Sequence, residues 1–281
     1  MAKASGVFIT TLCDNIAGEG FEAEWGFSLF IETDDSRLLF DTGASSLAVR
    51  NANRAGINLA GIGMIVLSHG HYDHTGGLLA VLQATGPATI VAHPGVLEAK
   101  YALQPGEEKV PSIGLPFTRS SLEKEGATFH LSQEPLAISP CIMTSGEVPL
   151  ASSFEKVDHS LLVEKGGVIN QDPMADDQAL IINTSAGLVI ILGCAHHGVI
   201  NTLIHACKLT GVSKILAVIG GMHLYRASEE QVRATLATLK SMKVERLVSS
   251  HCTGSAAAEL LAKELGERFS LNSTGSKFLW P

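Results

Sequence analysis

Apolar residues in this chain fall into short runs bounded by turn-forming residues, the pattern of strands, and these alternate with longer stretches of helical period. Val7 to Leu12 is strand-like, whereas Cys13 to Gly20 is polar and glycine-rich. Phe27 to Glu32 alternates apolar and polar positions, and Arg37 to Phe40 continues as a further strand. After Asp41-Thr42-Gly43, Ser45 to Ala55 has helical character that Gly56 can terminate. Met64 to Leu67 predicts a buried strand, Leu78 to Thr85 a helix closed by Gly86-Pro87, and Ala88 to Ala92 a strand ending at His93-Pro94.

From Ser160 the regularity returns after a break. Ser160 to Glu164, Ala179 to Asn183 and Leu188 to Leu192 read as hairpin-like strands, Asn201 to Leu209 as a helix with Gly211 past its end, and Lys214 to Ile219 as a strand. Ser228 to Met242 predicts a helix with a capping-box-like Ser228 and Gln231 and one face made of Val232, Leu236 and Leu239. Arg246 to Ser250 is a strand, and Ser255 to Leu265 a helix closed by Gly266. A β-rich start to each half, followed by helices, predicts an α/β fold: two sheets face to face with helices outside, a four-layer αββα sandwich. Between the halves, residues 100 to 156 hold six of the ten prolines and show weak periodicity. They read as an insertion or lid over a site mouth within a single domain spanning 1–281.

Composition narrows the function classes. An apolar fraction of 46% over 281 residues supplies ample core, and a net charge of -8 without any basic run disfavours nucleic-acid binding by phosphate neutralisation. The cysteines Cys13, Cys141, Cys194, Cys207 and Cys252 are odd in number and include no C-x-x-C pair, so reduced thiols are expected. The opening MAKASGVFITTL carries one lysine and a short strand-like run, no apolar run approaches the ~18 residues of a membrane span, and a cytoplasmic protein is expected. The expected partner is a small molecule, with no nucleic acid and no membrane. Nothing in the sequence speaks to the oligomeric state.

The chemistry concentrates in MIVLSHGHYDHTGG, residues 64 to 77. Side chains two apart in extended chain point the same way, so His69 and His71 can present imidazoles to one point, while Asp73 and His74 on the following turn face a second. That leaves room for two metal ions; imidazole suits zinc, iron, nickel or manganese, and a carboxylate hardens one of the sites. The pattern recurs, because apolar strands also end at His196 and His197, at His223 and at His251. Ligand sites gather where strand ends meet loops. His93 ends a strand too, whereas His130, His159 and His205 lie within or beside elements and read as packing or surface residues. Asp41 stands at a strand end as the histidines do, where an aspartate can equally serve as a helix cap.

The H-x-H-x-D-H run, with a strand before it and glycines after, resembles the signature of the metallo-β-lactamase superfamily. The segments FDTG, LSHGHYDHTGGL, GCAHHGVIN, GGMHL and SHCTG resemble the branch that includes the archaeal dihydropterin–aminobenzene phosphate synthase of methanopterin biosynthesis. The resemblance implies that His69 and His71 hold one metal and that Asp73 and His74 hold the other, joined by His251. His196 completes the first site, and Asp41 fixes the neighbouring loop without binding metal. Two divalent ions, zinc first and iron, manganese, nickel or magnesium next, are implied. Where better-known members have a bridging aspartate, this chain has Gly193-Cys194; Cys194 is either a bridging thiolate or an inert buried thiol, with the site then formed by His196 and Asp177. His223 is open between metal ligand, substrate contact and structural residue, a substrate contact or a place behind the ligands being favoured. Trp25 and Gln178 stand where the branch has His and Glu.

The expected function is a metal-dependent hydrolase acting on a small, possibly phosphorylated, substrate through an activated water, with Asp73 orienting the water and His223 steadying the leaving group. The alternative, implied by the resemblance, is a transferase for which the segment 100–156 holds two substrates, its cations Lys109, Arg119 and Lys124 being candidates for a phosphate. A redox module with a di-iron site ranks below both, since no flavin-binding fingerprint appears.

Overall fold

A computed structural model describes residues 1–103 and 110–281. Its first sheet has seven strands in the order β16 (Lys277–Trp280), β1 (Val7–Cys13), β2 (Ser28–Thr33), β3 (Arg37–Phe40), β4 (Met64–Val66), β5 (Ala88–Ala92) and β7 (Ala127–Leu131). The second has six: β15 (Phe269–Leu271), β14 (Arg246–Ser250), β13 (Ile215–Gly221), β12 (Leu188–Leu192), β11 (Leu180–Asn183) and β8 (Ile142–Thr144). A small third sheet joins β10 (Val168–Gln171), β9 (Leu161–Lys165) and β6 (Ala99–Ala102). The α-helices among the described residues are α1 (Leu47–Arg54), α2 (Tyr72–Thr75), α3 (Leu78–Thr85), α4 (Arg119–Lys124), α5 (Val199–Thr210), α6 (Glu229–Ser241) and α7 (Ser255–Leu265).

Strand periodicity explains the layering. Along β12, Val189 and Ile191 pack with Leu29, Ile31 and Val66 of the other sheet, while Leu188, Ile190 and Leu192 face Leu203, Leu236 and Leu261 of α5, α6 and α7. In the first sheet, Phe30, Leu39 and Ile65 turn outward onto Leu47 of α1 and Leu78 and Leu82 of α3. Successive residues point to opposite faces, so strands apolar on both faces must be covered on both. The result is three apolar interfaces and the expected αββα sandwich.

The segment 100–156 departs from the expectation of an insertion. β7 pairs parallel with β5 from Ala88↔Ala127 to Ala92↔Leu131, and β8 pairs with β11, so the segment supplies one edge strand to each sheet. Prolines and short runs hid these strands, which edge positions tolerate. Its end also holds a helix terminus: the buried Glu155 carboxylate accepts from Ile200 N at 2.9 Å and Asn201 N at 2.8 Å, satisfying the first turn of α5. Among the described residues of the segment, Ala102, Leu103 and Ile113 border the cleft described below. Lys109 lies outside the described residues, and Arg119 is ion-paired with Glu123 at 2.7 Å on exposed α4. Lys124 sits on the same helix, and neither lines the cleft.

Parallel pairing of β3, β4 and β5 in one sheet and of β12, β13 and β14 in the other sets their carboxyl ends on one edge of the sandwich. Asp41, the His69 loop, Cys194, His223 and His251 all follow directly from those ends.

Candidate metal centre

Backbone conformation marks this edge as a built site. Asp41, Ala195, His223 and His251 have φ of 58°, 52°, 48° and 48°, the left-handed region that side chains with a Cβ seldom adopt. Such strain persists only where surrounding structure over-determines it. α2 starts directly after His71 and carries Asp73 and His74, whose ring packs 4.2 Å from that of His69.

Hydrogen bonding behind the ring orients His69, His74 and His251. Asp41 Oδ1 accepts from Ser68 N and its Oδ2 from Ser68 Oγ, both at 2.7 Å. The Ser68 proton is therefore spent, and Ser68 Oγ, 2.9 Å from His69 Nδ1, accepts that N–H. His69 Nε2 is left with a lone pair, 3.0 Å from His71 Nδ1 and 3.3 Å from His196 Nε2. Two nitrogens bound tetrahedrally to one ion at about 2.0–2.1 Å stand about 3.3 Å apart, so both spacings from His69 Nε2 are those of ligands that share one ion.

A second point lies alongside. His74 Nδ1 donates to Asp41 Oδ2 at 2.7 Å, which aims Nε2 at Cys194 Sγ, 3.2 Å away. His251 Nδ1 donates to Asn15 Oδ1 at 2.9 Å, while the Asn15 amide donates to the His251 carbonyl, so the orientation of both groups is set. His251 Nε2 then faces Asp73 Oδ2 at 3.2 Å. Either a proton on His251 Nε2 or a metal cation between the two atoms satisfies both, and the donor set of imidazoles, carboxylate and thiol fits a divalent metal. Cys194 Sγ lies within 4.8 Å of the ligand atoms of His69 and His196 and, equally, of those of His74 and His251. It sits between the two points.

Electrostatics treats the two points differently, keeping the first neutral and holding a proton on His74 at the second that a metal would displace. Burial pushes His69 and His196 well below the ordinary imidazole range and His71 down to about 3, which keeps all three neutral and ready to ligate. Burial also opposes the charged forms of His74 and Asp73. For His74 it is outweighed by Asp41 and Asp73, which lift it to about 9; for Asp73 it is outweighed by His74 and His251, which hold the carboxyl below its usual range. Burial raises the Cys194 thiol well above its ordinary value.

Of the residues expected from sequence, His69, His71, Asp73, His74, His196, His251 and Cys194 converge, with Asp41 behind them. His223 borders them: its ring lies 4.2 Å from that of His196, and its Nε2 is 4.0 Å from Asp158 Oδ2. Asp177 does not join. Its carboxylate accepts His197 N at 3.0 Å, and burial pushes it up to about 6. Gln178 braces the end of β4 through the Leu67 carbonyl, at 2.9 Å, and Trp25 lies 4.9 Å from the His251 ring.

Sequence reasoning missed Ser68 and two further supports. Asn15, in an unremarkable polar loop, orients His251. Lys100, 1% exposed, pairs with Asp172 at 2.6 Å and Asp176 at 2.9 Å, and Asp176 Oδ2 accepts Gly70 N at 2.8 Å between the two histidines. A Cβ on Gly70 would meet Val96 O at 2.9 Å and Lys100 Cε at 3.1 Å, so only glycine lets this network reach the backbone. A lone lysine in AKYAL carries no signal that it is buried.

Fold and site together define the class. Residues 26–164 match the family model of the metallo-beta-lactamase superfamily, and the chain belongs to that superfamily. Within it, the chain is 33% identical to the 7,8-dihydropterin-6-methyl-4-(beta-D-ribofuranosyl)-aminobenzene-5'-phosphate synthase of Methanocaldococcus jannaschii, over 96% of this chain and 95% of that protein. An uncharacterised protein of the same organism is 34% identical over 88% of this chain and 90% of its own length. Among solved structures, Tm1679, described as a metal-dependent hydrolase of the beta-lactamase superfamily, superposes with a TM-score of 0.82 at 29% identity, covering 97% of this chain and 98% of that one.

Proposed function

We propose that this protein is a metal-dependent enzyme whose two-ion centre cleaves a bond to a leaving group in a small organic substrate, zinc being the first candidate metal. The observation that carries the reading is the pair of convergent donor clusters, one of His69, His71 and His196, the other of Asp73, His74 and His251, with Cys194 between. Bound there, divalent ions would supply Lewis-acid activation of a substrate oxygen and of water.

The chain's own residues do the rest. Asp41 and Asn15 hold His74 and His251 with Nε2 outward, and Ser68 does the same for His69. Asp73 Oδ2, at the cleft floor, accepts a proton or orients a nucleophile. His223 titrates above its usual range: burial opposes its charge, but Cys252 and Asp158 outweigh it, so it can donate a proton to a leaving group or hold an anion. Arg226 beside it lines the same cleft.

Hydrolysis is the reading we put first, in keeping with the likeness to Tm1679. A transferase that joins a dihydropterin to a ribofuranosylaminobenzene phosphate is supported by the near full-length similarity to the synthase. Zinc-loaded protein is incubated with phosphate mono- and diesters, and separately with ribofuranosylaminobenzene phosphate and a dihydropterin whose 6-methylene carbon carries a phosphate-type leaving group that departs as the new bond forms, with mass spectrometry of the products. Metal-dependent ester cleavage supports the first reading and a coupled product the second. Neither product, in protein shown to bind zinc, sinks both.

A further inference from the structure

We infer that a large apolar cavity beside the metal centre is a subsite for a neutral, planar ring of the substrate, whose charged end lies over the imidazoles. The inference rests on the proposed reading of the centre as catalytic.

The cleft directly above the converging histidines has a volume of about 200 Å³. Pockets that enclose small organic ligands run to about 300–1,000 Å³, so this cleft accommodates a reacting group and little more. A second cavity of about 560 Å³ adjoins it, between α7, β15 and the loop at Asn15. The two share Trp25, Tyr225 and His251, so one molecule can occupy both. Trp25 and Tyr225 are 48% and 43% exposed, large aromatic surfaces left open at the seam of a protein with only two tryptophans. Rings of this kind present flat apolar faces to a planar partner.

Charge decides which end of a substrate goes where. Among the described residues lining the larger cavity there is no Lys or Arg, and its carboxylates are Asp14 and Glu259. Asp14 is occupied, accepting from His251 N at 3.2 Å and Asn272 Nδ2 at 2.9 Å. An anion placed there meets apolar walls such as Ala258, Ala262 and Leu271 and no counter-charge, at a desolvation cost. The smaller cleft holds Arg226 and His223. Anionic end toward Arg226 and neutral ring beneath α7 is the orientation that satisfies both compartments.

The test uses the full chain with 2-naphthol, 2-naphthyl phosphate and inorganic phosphate, titrated by calorimetry with and without zinc. The inference predicts that 2-naphthol binds even without metal and that Ala262→Phe, which fills the cavity from α7, weakens it at least about tenfold with zinc binding unchanged. Leu271→Ala, which opens a wall without adding bulk, weakens it as well. With zinc present, 2-naphthyl phosphate binds at least about tenfold tighter than either fragment. No 2-naphthol binding, binding indifferent to both variants, or a phosphate ester no tighter than its parts overturns the inference. Failure of zinc to bind the wild type strikes the catalytic reading instead and leaves the 2-naphthol titrations to decide the cavity.

Discussion

Asp41 shows how much of a ligand's behaviour is decided one layer behind it. Its two oxygens take three donors, from Ser68 N, Ser68 Oγ and His74 Nδ1, and so turn His69 and His74 alike toward the cleft. Asp41→Asn replaces one acceptor by an amide that cannot accept. Zinc affinity, read by competition with a chromophoric chelator, should fall about 10- to 100-fold; unchanged affinity would show that Asp41 merely caps the loop. Cys194 makes a sharper case. If its sulfur ligates, the cobalt-substituted protein shows a thiolate-to-metal charge-transfer band in the near ultraviolet that Cys194→Ser abolishes. A band absent from the wild type would identify Cys194 as packing. The H-x-H-x-D-H run was readable as chemistry because four donors stand within six residues. Asn15 and Ser68 were not, because a residue that works through a single hydrogen bond to a distant ring looks like any polar loop residue until the chain is folded.

Elements tell a similar story. Strands apolar on both faces, such as Leu188–Leu192, announced the sandwich through composition and length, and α6 through its cap and stripe. The edge strands β7 and β8 escaped because one side of each is less buried and prolines lie nearby, so their period is diluted. Glu155, which closes the first turn of α5, belongs to that misread region. Glu155→Ala should cost about 1–2 kcal/mol in denaturant melts, and a loss near zero would mean water serves the helix end equally well. Beneath the His69 loop, Lys100→Met strands two buried carboxylates, and a loss of about 3–5 kcal/mol is expected. The pH dependence has a defined sign. Burial alone would raise the Asp176 carboxyl, but Lys100 outweighs it and the folded value is depressed. Its contribution is therefore complete above the unfolded carboxylate value of about 3.9 and is lost as pH falls through the folded one. Acid unfolding of Lys100→Met should begin at a higher pH than that of the wild type; coincident acid transitions would contradict the account.

At the scale of the molecule, two sheets bring donors separated by more than a hundred residues, His69 and His196, to within hydrogen-bond distance, and the same edge collects His223, Arg226 and a cavity large enough for a ring system. No described helix is long and apolar enough to cross a membrane. The fold accounts for where the donors gather; Leu103, Ile113 and Arg226, which also line the cleft, stand in no sequence pattern that announces them. The central claim is the convergence of two sets of ligands on two cations, and equilibrium zinc titration of the full chain, followed by mass spectrometry under non-denaturing conditions, tests it most directly. The account predicts two ions per wild-type chain and one when either His71 or His251 is replaced by alanine. Zinc-free wild type, or variants that still bind both ions, would contradict it.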